Sequence, residues 1–318
     1  MVLQVIVIVL MEVAEGTVPS NDFYHPVRSY HGHDVGHLQV CHSALRRRAS
    51  SIVFLAGDSS LDNKYWITGP DRHREAAGAY ADVLAPPVQV ADVAYHLTAH
   101  GASALNCAVE ESALADRERK LLPQDEFIRD HIGPNDVLVV SVGGNDIALK
   151  ASASTKWNMC LLVYVNSLAA LSDPVKSATC RGMPHFLDMF GRRLQAYIEK
   201  LTAKARPKKT VVCMIYYPDE RQSGGWADGV LNVLKYNTEP QRLQHAIKAA
   251  FEHAVSKIRI DGTDVIPLPL YAVLDGKDTD DYVARVEPSG QGGRKMADAI
   301  FTAARLDQSS TTNSSTSL

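Results

Sequence analysis

The chain lacks a C-x-x-C pair, a glycine-rich phosphate loop, an apolar run long enough to span a bilayer, and an excess of either charge. Each absence removes a class of function. The five cysteines, Cys41, Cys107, Cys160, Cys180 and Cys213, are scattered and odd in number. They read as structural thiols in a reducing compartment rather than a disulfide framework, which favours a cytoplasmic over a secreted location. A net charge of −3 leaves no broad basic field for nucleic acid or an anionic membrane. The opening MVLQVIVIVL is apolar, but it has no basic flank and is too short for a stable membrane insertion. Its β-branched residues suit an extra strand or hydrophobic arm, with a signal peptide over residues 1–16 as the alternative. Without a phosphate loop after the first strong β-run, a flavodoxin-like nucleotide binder is disfavoured. His31, His33, His37 and His42 have no carboxylate or cysteine at a defined metal spacing, so they read as a solvated helix start. No metal or cofactor is expected, and the partner class is a small, weakly polar molecule.

What is present is a regular alternation. With 318 residues and 46% hydrophobic content, the chain can bury a large core as one decorated α/β domain. Apolar runs at 51–56, 104–109, 136–142, 210–216 and 264–270 read as strands, the last, proline-marked one nearer a sheet edge. Helical spacing covers 34–48, 88–99, 113–131, 184–203, 241–257 and 294–305. Continuous apolar strands separated by helices imply a three-layer α/β/α fold with a flavodoxin-like parallel sheet of about five strands. Right-handed crossovers put the strand C-termini on one rim. Residues 150–183 and 218–240 break the repeat and are expected as insertions over that rim. The expected division is an arm and first helix over 1–50, the main domain over 51–306, and a disordered Ser/Thr-rich tail over 307–318.

Two strand ends carry the chemistry. Val53-Phe-Leu-Ala-Gly-Asp-Ser59 places a serine at the carboxyl end of a buried run, where open α/β sheets bind ligands. The run ending at Val142 stops at Gly143-Gly144-Asn145-Asp146. Each block alone is ordinary turn chemistry; both ending strong β-runs is a more specific signal. Asp62 and Asn63 read first as helix caps and Trp66 as core, with contact of Asp62 or Lys64 to substrate or Glu287 as the alternative. Tyr216 and Tyr217 face the same rim, with Asp219 and Glu220 in an exposed loop.

In this order, with Asn106 in Ala104-Leu-Asn-Cys-Ala-Val109 between them, the blocks resemble those of the SGNH (GDSL-type) hydrolases, a family of esterases, lipases and acyl hydrolases. The resemblance spans roughly residues 51–305 by motif. It implies a metal-independent serine hydrolase acting on a small carboxylic ester, with Ser59 as nucleophile and Asn145 as side-chain donor to the oxyanion beside the Ser59 amide. Asp58, Asn106, Glu111 and Gly144 would surround the oxyanion and substrate.

Two positions depart from the family pattern. The second block's glycine, whose amide lines the oxyanion hole, corresponds to Glu111; an amide survives there, but glycine's conformational freedom does not. In the final block, Asp281-Tyr-Val-Ala-Arg-Val-Glu287-Pro288-Ser-Gly290 has Glu287 at the histidine position and Ala284 at the aspartate position. Three arrangements are open. Glu287 is the base, held by Asp281 or Arg285, as carboxylates serve in serine peptidases with a Ser-Glu-Asp constellation; the following helix start would pull its pKa down. Alternatively, His31, His33 or His185, at helix starts near the rim, supplies the base. In the third, the protein is a catalytically inactive relative that binds a small ligand or protein.

Overall fold

The five apolar runs form strands β1 (Val53–Gly57), β2 (Ala104–Asn106), β3 (Val137–Ser141), β4 (Lys209–Met214) and β5 (Asp264–Pro269). All pair in parallel, in the order β2-β1-β3-β4-β5. The computed structural model describes residues 16–306. The expected arm or signal at the start and the tail over 307–318 lie outside the described residues.

The strands are apolar without alternation because both faces of the sheet are covered. Phe54, Ala56, Leu138, Val140 and Val212 face one layer, which holds α1 (Val35–Arg48), α3 (Pro123–His131), α4 (Leu194–Leu201) and α5 (Pro240–His253). Val53, Leu55, Val139 and Val211 face the other, formed by α2 (Val93–Ala99) and α6 (Gly290–Ala304). Full burial of each such side chain contributes about 1.5–3 kcal/mol, so the two clusters supply most of the driving force for the layered fold. Leu38, Cys41 and Leu45 of α1 belong to the same core as the strands. The cysteines are all free, with only Cys160 exposed.

Among the described residues, the edge position expected for the proline-marked run is observed: β5 pairs there with β4 alone, which tolerates Pro267 and Pro269 as missing donors. Three helices differ from the periodicity. Residues 88–99 are not one helix; Val88–Gln89 is extended and pairs with Arg74–Glu75, and the helix starts only after Asp92, which accepts the Tyr95 amide at 2.7 Å. Residues 113–131 divide into a short 3₁₀ turn at Ala115–Arg117 and α3, because Pro123 sits in the first turn of α3 and starts a new helix. The helix expected over 184–203 passes through a π-helical turn, Met189–Arg193. Among the described residues, no helix is long and apolar enough to cross a membrane.

Beyond β5, a small antiparallel hairpin joins β6 (Tyr282–Val283) to β7 (Glu287–Pro288) and leads into α6. Its turn residues Ala284 and Arg285 both have positive φ. This hairpin carries the final motif to the C-terminal rim of the sheet.

Candidate active site

Gly57 ends β1 at a point where nothing larger fits. Its φ is +148°, and a Cβ there would lie 1.8 Å from the Ser141 carbonyl oxygen of β3. Its carbonyl accepts from the Val109 amide (3.0 Å), Ser112 Oγ (3.2 Å) and Arg117 Nη2 (2.7 Å). The chain then turns at once: the Leu61 and Asp62 amides donate to the Asp58 carbonyl, and Asp58 Oδ1 accepts from the Ser60 amide and hydroxyl. Ser60 Oγ also meets Ser141 Oγ at 2.7 Å. Ser59 is held at the top of this turn, 8% exposed, by bonds that leave its own hydroxyl for the rim.

The Ser59 side chain and the Glu287 carboxyl line the same end of one cavity, and Ser59 acts on the carboxyl as a hydrogen-bonding neighbour; Glu287 is itself only 4% exposed. Two backbone clamps aim Glu287. Tyr216 Oη donates to the Val286 carbonyl at 2.6 Å, and Asn63 Nδ2 to the Pro288 carbonyl at 3.4 Å. Burial pushes the Glu287 pKa up to about 8; the Ser59 hydroxyl pulls it back, and the Asp58 and Glu111 carboxylates add to the rise. The lowering expected from the nearby helix start is overridden, because burial of the charge outweighs the dipole of α6.

Asn145 opens the turn after β3, where Gly143 at φ +115° packs against Phe190. One Asn145 amide hydrogen goes to the Ser112 carbonyl at 3.0 Å, which orients the side chain and ties it to the 110–112 turn. In that turn Glu111 has φ +57°, a backbone shape that favours glycine, although the residue is not glycine. Its carboxylate is drawn aside, accepting from Tyr30 Oη at 2.8 Å and lying 4.0 Å from His31 Nδ1. Asp146 supports the loop from behind by accepting the Leu114 and Ala115 amides.

A cavity of about 100 Å³ opens beside these groups. Asp58, Ser59, Gly144, Asn145 and Glu287 form its polar end. Ile147, Val230, Leu231, Leu234, Leu243 and Ile247 are among its apolar lining, so the 218–240 insertion does line the rim as expected.

Other expected site residues are placed elsewhere. Asp281 does not orient Glu287: it accepts from Lys295 (2.8 Å) and Gln291 (2.9 Å), pinning α6 to the chain before it. Arg285 also turns away, donating to the Asp219 carbonyl, Asp228 and Asn237, which rivets the hairpin turn to the insertion. Asn106 is buried behind the site, donating to the Leu61 carbonyl and Asp92. Among the histidines, His33 is buried, stacked on Phe23 at 3.9 Å and bonded to the Phe23 carbonyl. His185 Nε2 meets Thr155 Oγ1 at 3.0 Å. His31 is largely exposed, with the Glu111 contact as its ionic partner. The geometry brings together Ser59, Glu287, Asn145 and the Glu111 turn. Among the described residues, no three His, Cys, Asp or Glu side chains group so as to hold a metal.

Three contributors have little local signal in the sequence. Arg117, fully buried, pairs with Asp125 and reaches Gly57 sixty residues away. Tyr216 is expected on the rim, but its clamp on Val286 spans seventy residues. Glu110 is buried next to Glu111, and nothing in the local pattern separates the two.

The chain is similar in structure to solved lipases and esterases. An extracellular lipase from Streptomyces rimosus matches at 15% identity and a TM-score of 0.41, over 80% of this chain and 100% of that one. A GDSL-like lipase from Bacteroides thetaiotaomicron matches at 12% and 0.40, over 86% and 100%. An acetyl xylan esterase from Geobacillus stearothermophilus matches at 12% and 0.40, over 80% and 94%. No family model matches the chain, and no curated protein sequence does.

Proposed function

We propose that the protein is a serine hydrolase of carboxylic esters whose general base is Glu287. One observation carries the reading: Ser59 and the buried Glu287 carboxyl stand together at the polar end of an apolar cavity. Ionised Glu287 takes the proton from Ser59 Oγ as it attacks the ester carbonyl. The oxyanion is met by the free Asn145 amide hydrogen and by the Ser59 and Glu111 backbone amides. Glu287 then passes the proton to the leaving alkoxide, giving an alcohol and an acyl-enzyme. Water, deprotonated by Glu287, releases the acid and restores Ser59. The apolar end of the cavity suits the acyl half of the substrate.

Ester bonds as the target are compatible with the structurally similar proteins, which are lipases and esterases. The test is hydrolysis of chromogenic esters with lengthening acyl chains, from pH 5 to 10. Each methylene that enters the cavity is expected to raise kcat/KM about fourfold until it is full, from ~0.8 kcal/mol per buried CH₂. Ser59→Ala and Glu287→Gln should each lose roughly 10³-fold or more in kcat. Activity retained in Ser59→Ala would remove the proposal. Inactivity at every pH together with tight binding of medium-chain carboxylic acids would favour a ligand-binding protein on the same rim.

A further inference from the structure

Glu110 is a second buried glutamate beside the site, and no step above uses it. It is 2% exposed. One carboxyl oxygen accepts the Trp66 indole N–H at 3.0 Å, and its backbone amide donates to Asp62 at 3.1 Å. Its other oxygen, Oε2, is buried without a hydrogen-bond partner, and Glu287 Oε2 is in the same condition.

The two glutamates are held in one cluster by consecutive residues of a single turn: Asp62 holds the Glu110 amide, and Asn63 holds the carbonyl after Glu287. Asp62, fully buried, already has the Lys64 ammonium as its ion-pair partner. Glu110 is faced by Asp62, Lys64, Trp66 and Glu287; Glu287 is faced by Ser59, Asp58, Glu111 and Glu110, with Tyr216 beside both. Two ionised carboxylates at this depth, with the one ammonium among these neighbours committed to Asp62, would each carry a desolvation cost that a single neutral donor apiece, Trp66 and Ser59, does not offset. One of them must retain a proton.

We propose that Glu110 is a positioning residue for Glu287: it remains a neutral carboxylic acid in the working enzyme, so that Glu287 is the one of the pair that ionises to accept the Ser59 proton. A proton on Oε2 removes the charge of Glu110 without disturbing the Trp66 bond on the other oxygen. That proton is not transferred; the Ser59 proton travels to Glu287 and on to the leaving oxygen. Burial raises both carboxyls; repulsion by Glu287 and Asp62 adds to the rise at Glu110, whereas the neighbouring Ser59 hydroxyl favours the ionised form of Glu287. The catalytic consequence rests on the serine hydrolase reading, whereas the protonation state does not.

Infrared difference spectra of the full chain at pH 9, without substrate, read the protonation state directly. A buried protonated-carboxyl carbonyl band should be present in the wild type, absent in Glu110→Gln and retained in Glu287→Gln. In ester hydrolysis, Glu110→Gln, which keeps a neutral group of the same shape, should leave the acid limb of the pH–rate profile within about half a pH unit. Glu110→Leu, which strips polarity from around Glu287, should move that limb upward by about one pH unit. A wild-type spectrum without a band that Glu110→Gln removes would overturn the inference. So would an acid limb lowered by about one pH unit or more in Glu110→Gln, the signature of a charged Glu110. If no ester is hydrolysed, the spectra still decide the inference; if Ser59-dependent hydrolysis is present but the band is missing, only the inference fails.

Discussion

At the scale of single residues, two side chains at familiar positions are unexpected, and the surrounding geometry accommodates both. Glu111 keeps the positive φ that a glycine would adopt, at a backbone cost of about 1 kcal/mol or more, and its carboxylate is drawn off by Tyr30. Glu287 sits in a site that burial has made more basic than an ordinary carboxylate. That answers the objection to a carboxylate base, which is that it is too weak near neutrality. Asn145 has one amide hydrogen committed to Ser112, and in the proposed mechanism the other meets the oxyanion. Asn145→Ala should therefore lower kcat by about 10²–10³-fold while changing KM little, measured on a short-chain ester. Ser59 and Asn145 are legible in the sequence because each follows an apolar run, whereas Glu287 is picked out only by the resemblance of the Pro288-Ser289 continuation to the final block of the SGNH pattern. Asp281 is not legible in the same way, since spacing along the chain does not show that its carboxylate turns toward Lys295 and away from Glu287.

At the scale of elements, the β6–β7 hairpin is what presents Glu287, and a buried guanidinium fixes its turn beside the Tyr216 and Asn63 clamps. Arg285 joins the hairpin turn to Asp219, Asp228 and Asn237 of the insertion that also lines the cavity. Arg285→Met should lower stability by about 1–3 kcal/mol, seen as a lower denaturation midpoint, because it leaves the buried Asp219 carbonyl without its donor. It should also reduce kcat more than a surface variant of equal stability, since the Glu287 aim depends on that turn. The strands are readable from continuous apolar runs stopped by Gly or polar residues. The helices are less so: the start after Asp92 and the break at Pro123 are set by a cap and a proline, signals that a periodicity count passes over. Arg117 and Arg285 leave no local trace, because their partners lie up to sixty or more residues away.

At the scale of the whole molecule, stability and activity are expected to favour opposite ends of the pH scale. Glu287 and Glu110 have folded-state pKa values raised above the ordinary 4.5, and Asp92 is pushed up to about 6 by burial. A raised carboxyl binds its proton more tightly in the folded state. Its contribution is therefore complete below about 4.5 and is lost as pH rises through the folded value. The protein should be more resistant to urea at pH 5 than at pH 9. Glu287→Gln should flatten the part of that decline between about 4.5 and 8, a difference of a few kcal/mol, since each pH unit between the unfolded and folded pKa is worth ~1.4 kcal/mol. The proposed hydrolysis, by contrast, would require Glu287 ionised and should climb about tenfold per pH unit up to about 8. On that proposal, the buried carboxylate costs the fold stability in the range where it would work as a base.

The most direct measurement is covalent labelling by a fluorophosphonate, with the modified residue located by mass spectrometry and the rate followed from pH 5 to 10. The expected result is one adduct on Ser59, forming at a rate that rises with pH and levels off near 8, with Glu287→Gln slow and insensitive to pH. An adduct on another residue, no adduct at any pH, or a Ser59 labelling rate unchanged by Glu287→Gln would contradict the pairing of Ser59 with Glu287.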